Sequence, residues 1–335
     1  MPTDEQPRWR DEAGLTAWAR ERLDAVGLSP SGAPERHKAR PWGSVLRWDL
    51  PSGRWWLKAT GPGMRHEPAL VAGLARWAPE HVLTPVAVEP RRGWLVLPDG
   101  GPTLRERYGD EHDLGHWERL LPSYAQLQRE VAPHVEEMLA DGVPDLRVEQ
   151  LMAELDAALA LDTHELGVGA EDGPTSEELE LVRAARPRIA AWVDELASYR
   201  VPVSVQHDDV HDANVFASTD GNLRVFDWGD ASVAPVVTSL LIALRVAARL
   251  LEVPYGSPEL LRLRDAYLEV WSDLVPAEEL RAATAVALRL GAISRSRCYV
   301  RSLMDATPDE AEPYRGAVGG WLVELLGPTP LDPPG

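Results

Sequence analysis

The chain has 335 residues, of which 44% are hydrophobic, so it is long enough to form two lobes around a large core. Its formal net charge is −19, from 34 basic and 53 acidic residues, which excludes a general affinity for nucleic acid. The single cysteine, Cys298, excludes an internal disulfide and fits a reducing compartment.

The charge is distributed unevenly along the chain. Residues 1–98 contain 14 basic and 11 acidic residues, a net charge of +3, and the remainder contains 20 basic and 42 acidic residues, a net charge of −22. The acidic part is either suited to a cationic ligand or is simply a well-hydrated surface.

Neither a targeting segment nor a membrane span is expected. The N-terminus, M-P-T-D-E, is polar and acidic, unlike a signal peptide. The most apolar stretch, 233–253, is interrupted by Arg245 and Arg249, and its apolar residues recur at helical spacing. We therefore expect a buried helix, and a cytoplasmic protein that does not enter the membrane.

The first part of the chain predicts one helix followed by a β-rich unit. The helix is expected from Asp11 to Val26, before a loop rich in Gly, Pro and Ser. The turn Pro51-Ser52-Gly53 indicates a hairpin between two strands. The β-rich unit is predicted to contain strands at 44–50 and 54–59, a helix at 67–77, and strands at 82–89 and 93–97.

The sequence P-D-G-G at 98–101 interrupts this pattern and marks the expected lobe boundary. Three short strands are predicted near 203–206, 214–217 and 223–227, and the remainder is mostly helical. Helices are predicted over 115–132, 134–141, 147–161, 176–198, 234–252, 258–274, 277–305 and 309–326. The expected division is 1–98, 99–326 and a disordered Pro-rich tail at 327–335.

Two short segments carry most of the residues suited to catalysis. The first reads H-D-D-V-H-D-A-N over 207–214, and the second reads V-F-D-W-G-D over 225–230. They supply an aspartate, an asparagine five residues later, and another aspartate thirteen residues beyond that. Phosphoryl transfer from a nucleoside triphosphate needs this set, because one carboxylate aligns the acceptor hydroxyl while Asn and Asp hold the bridging metal.

Composition strengthens this interpretation. The chain has only two asparagines, one of which is Asn214. It has only two lysines among its 34 basic residues, and Lys58 lies where a phosphate-binding lysine would be needed. Rare residue types at motif positions are less easily explained as coincidence.

The pattern H-x-D-x-x-x-x-N followed by D-W-G resembles the catalytic loop and metal-binding triplet of the aminoglycoside phosphotransferase family, a branch of the kinase-like fold. The order of predicted elements agrees, so the resemblance extends over nearly the whole chain. It implies an α+β, protein-kinase-like fold with a small β-rich N-terminal lobe and a larger α-helical C-terminal lobe. It also implies Mg²⁺ as cofactor and ATP or GTP as co-substrate.

The resemblance assigns roles to the residues of the two segments. Asp209 is expected to be the catalytic base, and Asn214 and Asp227 the metal ligands, a donor set that suits Mg²⁺. His207 is expected to be structural, with a hydrogen bond to backbone near the metal-binding triplet.

The smaller lobe is expected to hold the nucleotide. Lys58 would contact the phosphates and Glu67 would hold Lys58, although Pro68 places Glu67 at the edge of its helix. Ser44, in W-G-S at 42–44, either contacts phosphate or belongs to an ordinary turn. Backbone groups of Leu95 to Leu97 are expected to pair with the purine.

Other polar residues near the motif have more than one interpretation. Asp208 occupies a position where the family often carries Gly, and its carboxylate either binds an amine of the substrate, supports the loop or is solvated. His211 either contacts the ligands or packs, and Asp230 either braces the loop or faces the substrate. Arg295, Arg297 and Arg301 either bind an anionic group of the acceptor or form ion pairs.

We therefore expect a kinase that transfers the γ-phosphoryl group to a hydroxyl of a small, cationic molecule such as an aminoglycoside-like antibiotic or an aminosugar. One alternative is a housekeeping kinase of sugars or choline-like metabolites. The other is a nucleotide-binding protein without catalytic activity.

Overall fold

An antiparallel sheet forms the core of the smaller lobe in the computed structural model, which describes residues 8–109, 113–218 and 221–333. The N-terminal pentapeptide, for which no signal peptide is expected, lies outside these ranges. Within them the sheet has the strand order β1-β2-β3-β5-β4. The strands are β1 (Glu35–Arg40), β2 (Gly43–Leu50), β3 (Gly53–Thr60), β4 (Ala87–Glu89) and β5 (Trp94–Pro98).

The two faces of this sheet have different partners. Helix α1 (Glu12–Ala25) packs on one face, because Leu15 and Trp18 form a buried cluster with Leu57 and Trp94. Side chains alternate between faces along a strand, so Lys58, next to Leu57, extends from the opposite face. Helix α2 (Glu67–Trp77) follows β3 and lies between the two lobes.

The larger lobe is mainly helical, and its helices other than α12 contribute to one extensive hydrophobic core. Its helices are α3 (Leu104–Tyr108), α4 (Leu114–Val131), α5 (Val135–Ala140), α6 (Leu151–Leu159), α7 (Ser176–Ala184), α8 (Arg186–Ser198), α9 (Leu240–Leu250), α10 (Pro258–Glu269), α11 (Ala277–Ser302), α12 (Pro308–Ala311) and α13 (Ala317–Glu324).

Two small pairs of strands in the larger lobe position the catalytic segments. Strand β6 (Val203–Gln206) pairs antiparallel with β9 (Ser232–Pro235), and β7 (Val215–Ala217) pairs with β8 (Leu223–Val225). Residues 207–214 therefore connect β6 to β7, while residues 226–231 connect β8 to β9. The fold is the predicted protein-kinase-like arrangement of a small β-rich lobe and a larger helical lobe.

Several predicted elements differ from the structure. Strand β1 was not predicted, because all its residues are exposed and it has no alternation of apolar and polar residues. The predicted helix at 176–198 is two helices that separate at Ala185, since Pro187 has no backbone N–H to continue the first one. The predicted strand at 82–89 is formed only over Ala87–Glu89.

The prediction of a disordered tail is wrong for residues 327–333. Asp332 accepts two hydrogen bonds from Arg289 of α11, at 2.8 and 3.0 Å. Thr329 is buried. These contacts attach the Pro-rich segment to the helical lobe.

The start of the described chain joins the smaller lobe to the segment around α12. The Arg10 guanidinium donates two hydrogen bonds to the Glu310 carboxylate, at 2.6 and 2.8 Å. The Trp9 indole N–H also donates to Asp305, at 3.2 Å.

In the described ranges, none of the helices is both apolar enough and long enough to cross a bilayer.

Candidate active site

Lys58 joins the two lobes at the centre of the cleft. Its Nζ lies 2.6 Å from Glu67 Oε1 and also contacts Asp227 Oδ1. The expected pairing of Lys58 with Glu67 is therefore present, even though Glu67 is the first residue of α2. Asp227 follows strand β8 and has a left-handed backbone, with φ of 66°.

The charges of these three residues depend on one another. Burial alone would lower the pKa of Lys58, but Asp227 and Glu67 outweigh burial and raise this pKa above its ordinary value. Burial raises the pKa of Glu67 to about 7, although Lys58 opposes the change. The charge of Lys58 lowers the pKa of Asp227 to about 2, so Asp227 is ionised at neutral pH.

Asp209 lies in the same cleft and is surrounded by hydrogen-bond donors. Its Oδ2 is 3.3 Å from Asn214 Nδ2 and 3.5 Å from His211 Nε2, and its Oδ1 is 3.9 Å from Arg295 Nη2. Burial alone would raise the pKa of Asp209, but His211 and Arg295 lower it below the ordinary value. The carboxylate is therefore ionised at neutral pH and can accept a hydrogen bond from an alcohol.

His207 fixes the position of the segment that carries Asp209. It is fully buried, and its Nε2 lies 2.8 Å from the carbonyl oxygen of Phe226, the residue before Asp227. The Asp209 backbone N–H donates to His207 Nδ1, at 3.3 Å. These contacts require a proton on Nε2 and a neutral ring, and burial lowers the pKa of His207 in agreement. His207 thus connects the two catalytic segments through backbone.

Asn214 and Asp227 provide oxygen donors suited to Mg²⁺. The Asn214 Nδ2 group donates to the Asp209 carbonyl oxygen, at 2.9 Å, which leaves Oδ1 directed away from Asp209. The Asp227 side chain is 46% exposed and lines the cleft. In the described part of the chain, no three His, Cys, Asp or Glu residues gather as a metal site. Mg²⁺ in kinases needs fewer protein ligands, because phosphate oxygens and water complete its coordination.

Of the roles expected for Asp208, the contacts in the structure favour support of the catalytic segment. Its carboxylate is neither solvated nor placed to bind an amine, because it is buried and accepts hydrogen bonds from Ser232 and Ser294, at 2.6 and 2.7 Å. Its φ is 60°, in the left-handed region that glycine adopts without strain. This conformation explains why a glycine suits the position. Asp208 instead attaches the catalytic segment to β9 and α11.

Other acidic residues near Asp209 are paired with arginines. Arg295 of α11 is buried, and it donates to Asp230 at 2.9 Å and to the Asp208 carbonyl oxygen at 2.8 Å. Arg105 of α3 donates to both carboxylate oxygens of Asp212, at 2.6 and 3.1 Å. The ion-pair interpretation of the α11 arginines is thus confirmed for Arg295. It is also confirmed for Arg297, which binds Glu154 at 2.5 Å.

Three residues expected at the nucleotide are placed differently. Ser44 is opposite Ala59 on the sheet face that packs against α1, so its side chain points away from Lys58. The Val96 carbonyl accepts a hydrogen bond from the Val86 N–H, so the backbone of Val96 faces β4. The backbone groups of Leu95 and Leu97 therefore face β3, where the sheet already uses them.

The cleft also contains residues that the motif analysis did not assign. It has a volume of about 190 Å³, and the additional residues on its wall include Lys38, Trp42, Cys298 and Tyr299. Lys38 is the second of the two lysines in the chain. The rarity of lysine in this chain was the signal that could have drawn attention to Lys38. Because β1 was not recognised as a strand, the position of Lys38 in the cleft could not be predicted.

Comparison with solved structures shows the same overall fold. An ethanolamine kinase from Plasmodium vivax is 11% identical, with a TM-score of 0.59, and the match covers 95% of this chain and 88% of that one. A macrolide 2'-phosphotransferase from Brachybacterium faecium is 17% identical, with a TM-score of 0.53 and coverage of 91% and 97%. A spectinomycin phosphotransferase bound to ADP and spectinomycin is 11% identical, with a TM-score of 0.51 and coverage of 92% and 97%.

No curated protein matches the sequence significantly. The sequence profile of the phosphotransferase enzyme family (APH), however, matches residues 106–283, which is more than half of the chain. The matched range contains Asp209, Asn214 and Asp227. The protein therefore belongs to the phosphotransferase enzyme family and is a small-molecule kinase.

Proposed function

We propose that the protein is a Mg²⁺-dependent kinase that transfers the γ-phosphoryl group of ATP or GTP to a hydroxyl of a small molecule. The observation that carries this proposal is the contact of Lys58 with both Glu67 and Asp227, in the cleft that also contains Asp209. A phosphate-binding lysine, a metal-binding carboxylate and an acceptor-aligning carboxylate are the parts that phosphoryl transfer requires.

The nucleotide would lie between the lobes, with its phosphates at Lys58. When bound, Mg²⁺ neutralises charge on the phosphates, and Asn214 and Asp227 are the residues that would hold it. Because the backbones of Leu95 and Leu97 are used by the sheet, we assign the purine contact to the following segment, 98–101, which connects the lobes. We keep the proposed lobe boundary after residue 98, the residue at which β5 ends.

Asp209 would align the acceptor hydroxyl. As the hydroxyl oxygen forms a bond to the γ-phosphorus, the bond to the β–γ bridging oxygen breaks and the nucleoside diphosphate leaves. The hydroxyl proton passes to Asp209. The lowered pKa of Asp209 makes it a weak base, so we assign its main contribution to orientation, as suits a loose transition state.

The paired carboxylates favour an acceptor with little positive charge. Asp208 is bound by two serines, Asp212 by Arg105 and Asp230 by Arg295. A ligand with many ammonium groups would need uncompensated carboxylates near Asp209, and it would also have to approach Arg295. We therefore propose an amino alcohol or an aminosugar as the acceptor, which a housekeeping kinase would use.

An aminoglycoside-like antibiotic is the second candidate. The net charge of −22 beyond residue 98 favours it, since an acidic lobe attracts cationic ligands. The structural relatives include both types of enzyme by name, an ethanolamine kinase and a spectinomycin phosphotransferase. Under this candidate the protein would confer antibiotic resistance in the cytoplasm.

A mass-spectrometric transfer assay tests the proposal. The protein would be incubated with Mg²⁺ and ATP or GTP, together with choline, ethanolamine, aminosugars, spectinomycin and aminoglycosides. Asp209→Asn, which keeps the size of the side chain, is the matched control. A gain of one phosphoryl group by one class of acceptor, absent with Asp209→Asn, would support the proposal and name the class. Equal transfer by both proteins would contradict it.

A further inference from the structure

The two lysines of the chain lie in one row across the smaller sheet. Lys38 of β1 is directly opposite Val45 of β2, and Val45 is directly opposite Lys58 of β3. Directly opposed residues in an antiparallel sheet extend from the same face. The backbones of Lys38 and Lys58 are thus two strand spacings apart, roughly 10 Å. Both residues line the catalytic cleft.

A β-bulge gives Lys38 this orientation. The register of β1 against β2 shifts between Arg36 and Lys38, so His37 is an extra residue in the strand. Arg36 lies on the face of α1, where its guanidinium pairs with Glu12 at 2.8 Å. In a regular strand, residues two positions apart share a face, so Lys38 would also point toward α1. The bulge turns it toward the cleft, a role that bulges often have beside active sites.

The charge of Lys38 is less compensated than that of Lys58. Among the residues that the structure describes, no carboxylate lies within ion-pair distance of Lys38, whereas Lys58 contacts two. Lys38 nevertheless faces the cleft, because it lines the same cavity as Lys58 and Asp227. A cationic side chain without an anionic partner, on the wall of a phosphate-binding cleft, is available for the ligand.

We propose that Lys38 is a second phosphate-binding cation, which contacts the terminal phosphate of the bound nucleoside triphosphate. This inference rests on the proposed function. Lys58 lies nearer the centre of the sheet, where it would contact the inner phosphates. Lys38 lies on the edge strand and reaches the cleft from the outer side. A nucleoside diphosphate lacks the group that Lys38 binds, so Lys38 would favour the co-substrate over the product.

Nucleotide titrations of the full chain test this role. Calorimetry in Mg²⁺ would compare a non-transferable ATP analogue with ADP for the unchanged protein, Lys38→Met and Lys38→Arg. Arg40→Met is the matched control, because it removes one positive charge from the same strand at a residue outside the lining of the cleft. We expect Lys38→Met to lower affinity for the triphosphate about 10-fold or more, the usual effect of losing a charged hydrogen bond.

The expected pattern is specific to the terminal phosphate. Affinity for ADP should change little in Lys38→Met, Lys38→Arg should retain most of the preference for triphosphate, and Arg40→Met should resemble the unchanged protein. If Lys38→Met lowered both affinities by the same factor, or lowered neither, the inference would be overturned and the proposed function would stand. If the unchanged protein bound neither nucleotide, the proposed function would fail as well.

Discussion

The catalytic segment, residues 207–214, and strand β1 (Glu35–Arg40) bring charged residues to the same cleft in different ways. The catalytic segment is fixed by buried contacts, such as those of His207 with Phe226 and of Asp208 with Ser232. Strand β1 is exposed along its whole length, and a bulge in its register turns Lys38 toward the cleft. The comparison indicates that the segment with the proposed acceptor-aligning residue has buried support, whereas the proposed phosphate contact of Lys38 depends on an exposed strand.

The largest expected effect is on turnover, and it follows from removing the carboxylate of Asp209 in the catalytic segment. Asp209→Asn should lower turnover by roughly 10²- to 10⁴-fold, because an amide cannot accept the hydroxyl proton and aligns the alcohol poorly. Affinity for Mg²⁺–nucleotide should remain nearly unchanged, since Asp209 acts mainly in the transition state. Steady-state kinetics and nucleotide titration would measure both effects. An active Asp209→Asn protein would remove its assigned role.

Asp227→Ala should reduce both turnover and the binding of Mg²⁺–nucleotide. The variant loses a proposed metal ligand and also an ionic partner of Lys58. Titration of activity against Mg²⁺ concentration would measure the shift. Asp230→Asn is the local control, because Asp230 pairs with Arg295 and is not assigned to the metal. A Mg²⁺ dependence of Asp227→Ala that matches the unchanged protein would exclude Asp227 as a ligand.

The support of the catalytic segment by Asp208 can be tested through stability. Asp208→Ala loses the bonds to Ser232 and Ser294 and keeps a left-handed backbone, so we expect a loss of roughly 2–4 kcal/mol. Asp208→Gly loses the same bonds without the strain, and should be more stable than Asp208→Ala by about 1 kcal/mol. Urea unfolding would measure the difference. Equal stability of the two variants would contradict the conformational explanation.

The smallest effect concerns the titration of Asp227. Its pKa is lowered from 3.8 to about 2, mainly by Lys58. A lowered carboxylate pKa stabilises the fold above pH 3.8, and this contribution is lost as the pH falls through about 2. Lys58→Met should raise the pKa of Asp227 toward its ordinary value and weaken this dependence. An NMR titration of the Asp227 carboxyl would measure it, and an unchanged pKa would contradict the assigned cause.

Much of the fold could be predicted from the sequence because the information is local. Helix α2 was predicted with its observed limits, since its apolar residues share one face and Pro68 suits a first turn. The hairpin of β2 and β3 follows from the turn around Gly53. Strand β9 lies close to β6 in space but far from it in the sequence, so local periodicity did not reveal it.

At the candidate site, too, local patterns could be predicted from the sequence, but contacts between distant segments could not. The spacing of Asp209, Asn214 and Asp227 predicts phosphoryl transfer, and no distant residue is needed for that prediction. The surroundings of Asp208 depend on its left-handed backbone and on Ser294, which is 86 positions away. The place of Lys38 depends on one extra residue in a strand without a hydrophobic pattern. Contacts between distant segments, and a change of register, are not encoded in a local motif.

The most direct test of the central claim is a crystal structure of the protein with Mn²⁺ in place of Mg²⁺ and a non-transferable ATP analogue, in which anomalous scattering locates the metal. We predict the metal between Asn214 Oδ1 and the Asp227 carboxylate, with the phosphates at Lys58 and the terminal phosphate toward Asp209. A metal that contacts neither Asn214 nor Asp227, or a nucleotide bound outside this cleft, would contradict the account.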